Sequence, residues 1–244
     1  MIMRFRQQAF LFIALLLTSG SLLLSSLAHA GAGVPLKPYR ATYGIVRDGL
    51  AAEVTRELHH SGENQWTLKD SARILFARFS ESVIVKYNGV DVVPLEYTYQ
   101  QSPGDRKDQV IRYDWGKKRA SFSLDSGTRH ADLKVPSYDK LSYQIQLRLD
   151  LLAGQLQTPK TYHLVDRGRH KQYRVEKIGE QTISAGKRQI HTVKLRQTTA
   201  GKDRETFIWV APDLDFLIVR MERNEDDEQI QMQLKSVNLD IAAF

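Results

Sequence analysis

The segment QIQMQLK, residues 229–235, alternates polar and apolar side chains without a break. A period of two places one set of side chains on a buried face and the other in water, as in a half-buried β-strand. Residues 216–223 place Leu217, Val219 and Met221 on one side of a second predicted strand, and the acidic run 224–228 joins the two segments. We therefore predict a β-hairpin with an acidic tip. The acidic run lacks the spaced D-x-D-x-D-G pattern of a calcium loop, so it predicts no metal site.

The same combination of alternating segment and turn-forming residues recurs along the rest of the chain. Glycine, asparagine, aspartate, serine or proline stands between nearly all of the segments. About a dozen short strands separated by turn residues predict an antiparallel meander. The further candidate strands are 39–47, 51–60, 65–73, 79–87, 92–101, 107–114, 119–124, 130–135, 162–166, 171–178, 188–198 and 205–210.

One segment between Pro136 and Pro159 interrupts this pattern. Its apolar residues fall on every second position from 143 to 151, which on period alone predicts one more strand. A helix over about 139–153 also fits, because Asp139 can cap its start, Gly154 can follow its end, and most of its residues favour helices. We favour the helix, which makes the chain mainly β with one central helix.

A meander of this many strands leaves two exposed edges unless the sheet closes or curls. We therefore expect it to close into a barrel or a half-barrel, with the helix plugging the open side. Such a barrel has an interior that either is filled by side chains or holds a ligand.

The first thirty residues have the order of a signal peptide. Arg4 and Arg6 precede an apolar run, and the stretch ends in Ala28-His29-Ala30, a small-residue cleavage site. We expect cleavage after Ala30, a short linker over 31–37, a single folded domain over 38–240 and a periplasmic location. An uncleaved membrane anchor is the alternative, but the polar run 18–21 interrupts its apolar stretch.

Composition excludes several classes of protein. The 244 residues are 42% hydrophobic and 26% charged, which is typical of a globular chain rather than a disordered one. There is no cysteine, so disulfides, thiol nucleophiles, Cys-ligated metals and lipid-bearing cysteines are excluded. The net charge of +7 becomes +5 without Arg4 and Arg6, a mild excess that suits envelope lipid or polysaccharide as partners. We expect no nucleic-acid partner, no membrane-spanning helix in the mature chain, and a monomer.

No motif in the sequence indicates a particular chemical reaction. The G-x-S-x-G, P-loop, G-x-G-x-x-G and H-E-x-x-H patterns are all absent. Paired carboxylates on distant strands could form an acid–base site, but no pair stands out from the other acids. We therefore predict no catalytic residue, no metal and no cofactor.

Aromatic residues are the only candidates for a ligand site. They come in pairs two apart on predicted strands, so each pair shares one face of the sheet. Such pairs line apolar or sugar-binding pockets, and they also occur as ordinary cross-strand packing. The candidate ligand-binding residues are Tyr97, Tyr99, Tyr113, Trp115 and Trp209, the last paired with Phe207.

Several short motifs occur in a specific order along the chain. They are YRATY (39–43), PLEY (94–97), YDW (113–115), YDKLS (138–142) and IWV (208–210). In these motifs the chain resembles DUF3108, a family of exported bacterial proteins of unknown function. The sequence departs from the family pattern at FLIV (216–219), where a proline-containing strand is expected. The resemblance implies a periplasmic β-barrel-like domain and supplies no activity, cofactor or catalytic residue.

Three functional hypotheses follow from these observations. The first is a non-catalytic periplasmic binding protein that holds a lipid-like or other hydrophobic ligand in its curved sheet, since the architecture is similar to the half-barrel lipid carriers of the Gram-negative envelope. The second is an envelope structural or interaction factor that binds protein or polysaccharide through its surface. The third is a hydrolase with a carboxylate active site that no sequence motif indicates.

Overall fold

The computed structural model describes residues 33–239 except 48, 75–76, 104–107, 125, 186–187 and 226–227. Fourteen strands and one α-helix form the fold. The strands are β1 (Tyr39–Arg47), β2 (Leu50–Gly62), β3 (Gln65–Ile74), β4 (Ala77–Tyr87), β5 (Val92–Ser102), β6 (Gln109–Asp114), β7 (Arg119–Leu124), β8 (Gly127–Asp132), β9 (Lys160–Asp166), β10 (Arg169–Ala185), β11 (Arg188–Thr199), β12 (Glu205–Ala211), β13 (Leu217–Glu225) and β14 (Glu228–Asn238). The helix α1 (Ser142–Leu152) lies between β8 and β9, and a short 3-10 turn (Pro212–Leu214) between β12 and β13.

All fourteen strands belong to one antiparallel sheet. Its order is β8-β7-β6-β5-β4-β3-β2-β1-β14-β13-β12-β11-β10-β9, so each half of the chain is a meander. Strand β1 pairs with β14, with Arg40 opposite Asn238 and Arg47 opposite Ile230. The predicted mainly β meander with a central helix is confirmed, and this pairing joins its two blocks into a nearly closed barrel.

The two edges of the sheet are β8 and β9, and the chain between them bridges part of the gap. Tyr138 forms an isolated parallel bridge to Leu164 on β9. Its backbone N–H donates to the carbonyl of His163 at 2.9 Å, and its carbonyl accepts from the N–H of Val165 at 2.8 Å. This connection therefore satisfies part of an edge that would otherwise present open hydrogen-bonding groups.

Helix α1 begins and ends at the expected signals. The Asp139 carboxylate accepts hydrogen bonds from the N–H groups of Leu141 at 2.8 Å and Ser142 at 3.0 Å. The Ser142 hydroxyl accepts in return from the Asp139 N–H at 2.9 Å, which resembles a capping box. Gly154 follows the helix with a φ of +66°, a conformation that favours glycine.

The helix lies inside the curved sheet. Eight of its eleven residues are buried, and they include polar as well as apolar side chains. Strands from both halves of the sheet bond to it: Gln144 accepts from Arg56 on β2, Gln146 from the Val92 N–H on β5, and Tyr143 donates to Gln197 on β11. A helix buried on all sides has no single apolar stripe, which is why its periodicity was ambiguous.

The inner face of the sheet carries the core. Ile45 pairs with Met232, Met232 with Met221, Met221 with Ile208, and Ile208 with Leu195. Because side chains alternate across a strand, these cross-strand pairs define one continuous face over five strands. The facing direction of the neighbouring residues follows from this row as far as the register shifts beside Tyr43 on β1 and Val210 on β12.

Two local expectations were wrong. Strand β8 begins at Gly127 rather than at 130, because Gly127 pairs directly with Leu124 and the turn is therefore shorter than expected. Gly179 does not end a strand, because β10 continues through it with a bulge between Lys177 and Gly179. A glycine inside a strand commonly marks such a bulge.

The expected signal peptide falls outside the described residues, as do parts of several turns, including 226–227 at the acidic tip. In the part of the chain that the structure describes, the single α-helix is too short and too polar to cross a bilayer.

Candidate functional site

A cavity of about 290 Å³ opens at the rim of the barrel beside the start of α1. We call it the mouth cavity. The ends of strands from both halves of the sheet surround it, together with the residues that precede the helix. Its lining consists of Arg47, Tyr97, Ile111, Asp139, Lys140, Leu164, Val165, Asp166, Lys171, Tyr173, Arg204 and Arg223.

Strand parity explains why long cationic side chains reach this cavity. Arg47 has the same parity as Ile45 on β1, and Arg223 the same parity as Met221 on β13, so both lie on the inner face. Both pair with Ile230 on the intervening strand β14. Two strands that flank a third are about 10 Å apart, so the two arginines approach the cavity from neighbouring positions on its rim.

The lining is rich in positive charge. Five of its side chains are cationic and two are carboxylates. One carboxylate, Asp166, forms an ion pair with Lys171 at 2.6 Å. Burial opposes its ionisation, but the hydrogen bond and charge of Lys171 hold the pKa of Asp166 below its usual value. Asp166 therefore remains charged and neutralises one lysine of the cavity.

Lys140 connects the cavity to the buried wall behind it. Its ammonium lies 2.8 Å from the Glu81 carboxylate, and 5.9 Å and 5.1 Å from the ring centres of Tyr97 and Tyr99. The Tyr97 hydroxyl donates to the same oxygen of Glu81, Oε1, at 2.8 Å. Burial raises the pKa of Glu81, an effect that the charge of Lys140 opposes.

Asp139 is the second carboxylate of the lining, and it is fully engaged by the protein. Besides the two N–H groups at the start of α1, its carboxylate accepts from the Ser142 hydroxyl at 2.7 Å and the Tyr113 hydroxyl at 3.2 Å. Burial raises the pKa of Asp139 although these hydrogen bonds favour the charged form.

Three of the five aromatic candidates meet around Asp139 and Lys140. Tyr97 lines the cavity, Tyr99 lies under Lys140, and Tyr113 donates to Asp139. All three are buried. A fourth candidate, Trp115, lies next to this group.

Trp115 stacks on Tyr113 with ring centres 5.9 Å apart and an interplanar angle of 7°. Its indole N–H donates to the Pro94 carbonyl at 2.7 Å. It therefore supports Tyr113 from outside the mouth cavity and does not line it.

Trp209 lies on the opposite face of the sheet. It follows Ile208, which belongs to the inner row, so its side chain lies on the other face of the strand, where it is nevertheless buried. Lys194 and Arg220 lie over its ring at 4.8 Å and 5.2 Å. The structure therefore separates Trp209 from the other candidates, and Phe207, which shares its face, goes with it.

The cationic residues of the cavity were missed in the sequence. Arg47, Lys171, Arg204 and Arg223 lie far apart along the chain and form no motif. Two of them, Arg47 and Arg223, stand at the end of a predicted strand and have the same parity as its buried residues, where a polar side chain is unexpected. This was the signal that the sequence offered. Without the pairing of β1 with β14, that signal does not show that they meet.

Ligands for a metal ion do not gather in the described residues. No group of three or more histidine, aspartate or glutamate side chains within the described ranges is placed to hold an ion. The lining of the mouth cavity, with five cationic side chains and two carboxylates, does not have the donor set of a metal site.

Comparison with known proteins adds information on family and fold. A family model described as "Protein of unknown function (DUF3108)" matches residues 38–235. The chain is also similar to the crystal structure of a beta-barrel-like protein of domain of unknown function DUF1849 from Brucella abortus, with a TM-score of 0.57 and 12% identity, over 86% of this chain and 100% of that chain. At this identity the likeness concerns the fold alone. A search of curated proteins gave no match.

Proposed function

Because the chain belongs to the DUF3108 family of proteins of unknown function, its role has to be argued from its own site, and we propose that it is an exported, non-catalytic binding protein that takes its ligand at the mouth cavity. The cell envelope is its proposed place of action. The observation that carries this proposal is the cavity itself. It is a concave site at the rim of the barrel, lined by residues from both halves of the chain.

The position of α1 argues for the mouth rather than the barrel centre. A ligand held deep in the curved sheet would have to displace the helix, whose side chains bond to β2, β5, β9 and β11. Each of these bonds would leave buried polar groups without partners if the helix left. A lipid-like ligand is therefore proposed to place its polar end in the mouth cavity.

The carboxylates of the cavity support a binding role over a catalytic one. A hydrolase of the two-carboxylate kind needs one acid and one base that are free to act on a substrate. Asp139 is held by the start of α1 and Asp166 by Lys171. Both carboxylates therefore have structural partners.

Export is proposed from the signal-peptide pattern of residues 1–30. We expect the protein, expressed with these residues in a Gram-negative host, to be released by osmotic shock with a mature chain that starts at Gly31. Amino-terminal sequencing of the released protein tests this. Retention in the cytoplasm or membrane fraction would contradict it.

Ligand binding is tested by native purification followed by extraction and mass spectrometry. The matched variants are Lys171→Trp, which puts a bulky ring at the rim, and Arg112→Trp, whose side chain is 61% exposed on β6 away from the cavity. We expect a co-purifying molecule with the wild type and with Arg112→Trp, and its loss with Lys171→Trp. A wild-type protein that carries nothing would contradict the proposal.

A second candidate function is supported by an outer groove of about 760 Å³ across β2–β5. Its polar lining includes Lys69, Arg73 and Arg78. Such a groove suits the surface binding of an envelope polysaccharide or protein. Crosslinking in cells with Arg73→Glu/Arg78→Glu as the comparison variant tests it, since a partner that binds there is lost from the variant and retained by Lys171→Trp.

A further inference from the structure

We infer that the outer groove across β2–β5 binds a polysaccharide whose sugars carry carboxylates. This inference rests on the second candidate function above and names the chemistry of its ligand. It is carried by two facing arginines, by a row of hydrogen-bonding side chains beside them, and by the position of the groove within the sheet.

Two arginines of the groove lie directly opposite each other. Arg73 on β3 pairs with Arg78 on β4, and both are exposed and line the groove. The buried residues Asp70 and Glu81 have the opposite parity, so the arginines lie on the outer face. In the part of the chain that the structure describes, neither arginine forms an ion pair. Like charges directly opposite on a sheet repel each other, and an anion bound between them would relieve this repulsion.

A row of hydrogen-bonding side chains crosses the groove beside the arginines. Thr55 on β2 pairs with Ser71 on β3. Ser71 pairs in turn with Ser80 on β4, and Ser80 with Gln100 on β5. All four line the groove, and within the described residues their side chains form no hydrogen bond. Since neighbouring strands are about 4.8 Å apart, the row offers hydroxyl and amide groups over about 14 Å.

Cations stand on both sides of this row. Along β3, Arg73 follows Ser71 by two residues and Lys69 precedes it by two, and both line the groove. The Cα atoms of Arg73 and Lys69 are therefore about 13 Å apart. This spacing suits single charges distributed along a polymer better than one doubly charged group. Each guanidinium can bind a carboxylate through two parallel hydrogen bonds.

Most carboxylates beside the groove have partners of their own. Glu53 forms an ion pair with Lys235 on β14. Glu57 on β2, opposite the lysine of the lining, forms one with Arg40 at 2.9 Å. Asp108 is the other carboxylate of the lining, and it accepts from a backbone N–H at 3.1 Å. With Glu53 balanced by Lys235, three cations and one carboxylate give the lining a net charge of +2.

The position of the groove argues for a polysaccharide over an acidic peptide. Each of the strands β2–β5 is hydrogen-bonded to a neighbour on both sides, so their edges are already occupied and cannot take up an added strand. Ala72 and Phe79 are the apolar residues of the lining, so the groove offers little surface for the apolar anchors of a peptide. A ligand with both hydroxyls and charges along its length matches the row and its flanking cations.

The test is calorimetric titration of the full mature protein with alginate fragments at an ionic strength of about 0.15 M. Dextran, which has hydroxyls without charge, and poly-L-glutamate, which has carboxylates without sugars, are the comparison polymers. The test variants are Arg73→Gln/Arg78→Gln and Ser71→Ala/Ser80→Ala, of which the second removes two hydroxyls and no charge. The matched control is Arg119→Gln/Arg188→Gln, which removes the same charge from two exposed arginines on β7 and β11.

We expect the wild type and the control to bind alginate, and to bind dextran and poly-L-glutamate more weakly. The affinity for alginate should fall by about tenfold or more in Arg73→Gln/Arg78→Gln, because two charge-assisted hydrogen-bonding groups are removed. It should fall by about threefold or more in Ser71→Ala/Ser80→Ala, because two neutral hydrogen bonds are lost. Circular dichroism checks that the variants fold, and Lys69→Gln replaces the arginine variant if that variant does not.

The inference is overturned if alginate does not bind, if poly-L-glutamate binds as tightly as alginate, or if either test variant binds alginate as tightly as the control. Alginate binding that is lost from Lys171→Trp would place the polymer at the mouth cavity and would also overturn it. These results are distinct from failure of the candidate function. A protein that is crosslinked to the wild type in cells and lost from Arg73→Glu/Arg78→Glu overturns the polysaccharide assignment and leaves the groove as an interaction surface. A wild type that binds no polymer and captures no partner overturns both.

Discussion

At the scale of single residues, the most consequential feature is a buried ion pair under the helix. Arg56 on β2 and Asp70 on β3 are both almost fully buried, and two hydrogen bonds of 2.7 Å and 2.6 Å join them. Arg56 also donates to Gln144 of α1 at 2.7 Å. Burial works against the charged guanidinium, but the charge and hydrogen bonds of Asp70 hold the pKa of Arg56 above its usual value.

Replacing one residue of this ion pair should therefore lower the free energy of unfolding more than replacing both. We expect Arg56→Leu to lower the free energy of unfolding by about 3–5 kcal/mol, because Asp70 would remain as a buried charge without a partner. Arg56→Leu/Asp70→Leu should recover most of that loss, since no buried charge remains. Urea unfolding of the wild type and the two variants measures both effects, and a double variant that is no more stable than Arg56→Leu would contradict this reading.

Asp139 gives a prediction about pH. Burial raises its pKa, so in a window above the ordinary carboxyl value of about 4 the folded protein holds a proton that the unfolded chain has lost. In that window the contribution of Asp139 to the free energy of unfolding falls as the pH rises. Asp139→Asn keeps an oxygen for the N–H groups of Leu141 and Ser142 and cannot ionise. The stability of this variant relative to the wild type should therefore increase as the pH rises above about 4.

Denaturant unfolding of both proteins over the pH interval above about 4 measures the difference in stability between them. Other titrating groups cancel because they are common to the two proteins. A relative stability that is flat or that decreases over the interval would show that Asp139 ionises in the folded state as easily as in the unfolded chain.

At the scale of elements, α1 is a helix whose polar side chains are as buried as its apolar ones. Gln146 accepts from the Val92 N–H at 2.9 Å and donates to Asp150 at 3.0 Å. The other oxygen of Asp150 lies 2.7 Å from the ammonium of Lys160 and accepts from the Tyr162 hydroxyl at 2.5 Å. These contacts tie the helix to β5 on one side and β9 on the other.

The buried amide of Gln146 should matter although leucine has a similar size. We expect Gln146→Leu to destabilise the protein by about 1–3 kcal/mol, because the Val92 N–H and an Asp150 oxygen lose their partner in a buried place. Gln155→Leu is the matched control, since Gln155 follows the helix and is exposed. Equal stability of the two variants in thermal or urea unfolding would show that the amide of Gln146 is not needed.

At the scale of the whole molecule, the first and last strands meet in the middle of the sheet. Arg40 pairs with Asn238, so the start of β1 and the end of β14 lie side by side. The long-range pairing of these strands, rather than any local turn, joins the two meanders. We therefore expect the barrel to depend on this pairing more than on the order of the elements along the chain.

A circular permutation tests this. Residue 239 is joined to residue 33 by a glycine–serine linker of about ten residues, which spans about 17 Å on average, and new ends are opened at the exposed turn around Gly201. We expect the permuted chain to retain the β-sheet circular dichroism and the cooperative unfolding of the wild type. A control opened between Arg56 and Glu57 inside β2 should fail to fold. Failure of both would show that the native connectivity is needed for the barrel.

The sequence predicts the strands of this protein better than it predicts the candidate site. The period of two in 229–235 and the turn residues between segments predict most strands, because alternation and turn chemistry are local properties. They do not predict Gly179 as a bulge, because a turn and a bulge both favour glycine. They also leave α1 ambiguous, since a helix buried on every side shows no helical stripe.

By itself, the sequence determined the class of fold, most of the strands and the absence of cysteine chemistry, and it favoured a helix that starts near Asp139 over one more strand. The tertiary structure alone decided that β1 pairs with β14, that α1 lies within the curved sheet, and that Arg47, Lys171, Arg204 and Arg223 meet at one rim while Trp209 lies on the outer face. The physical reason is the distance along the chain over which each kind of interaction acts. Propensity, alternation and capping act between neighbours in the chain, whereas the mouth cavity is made by residues whose proximity depends on long-range strand pairing.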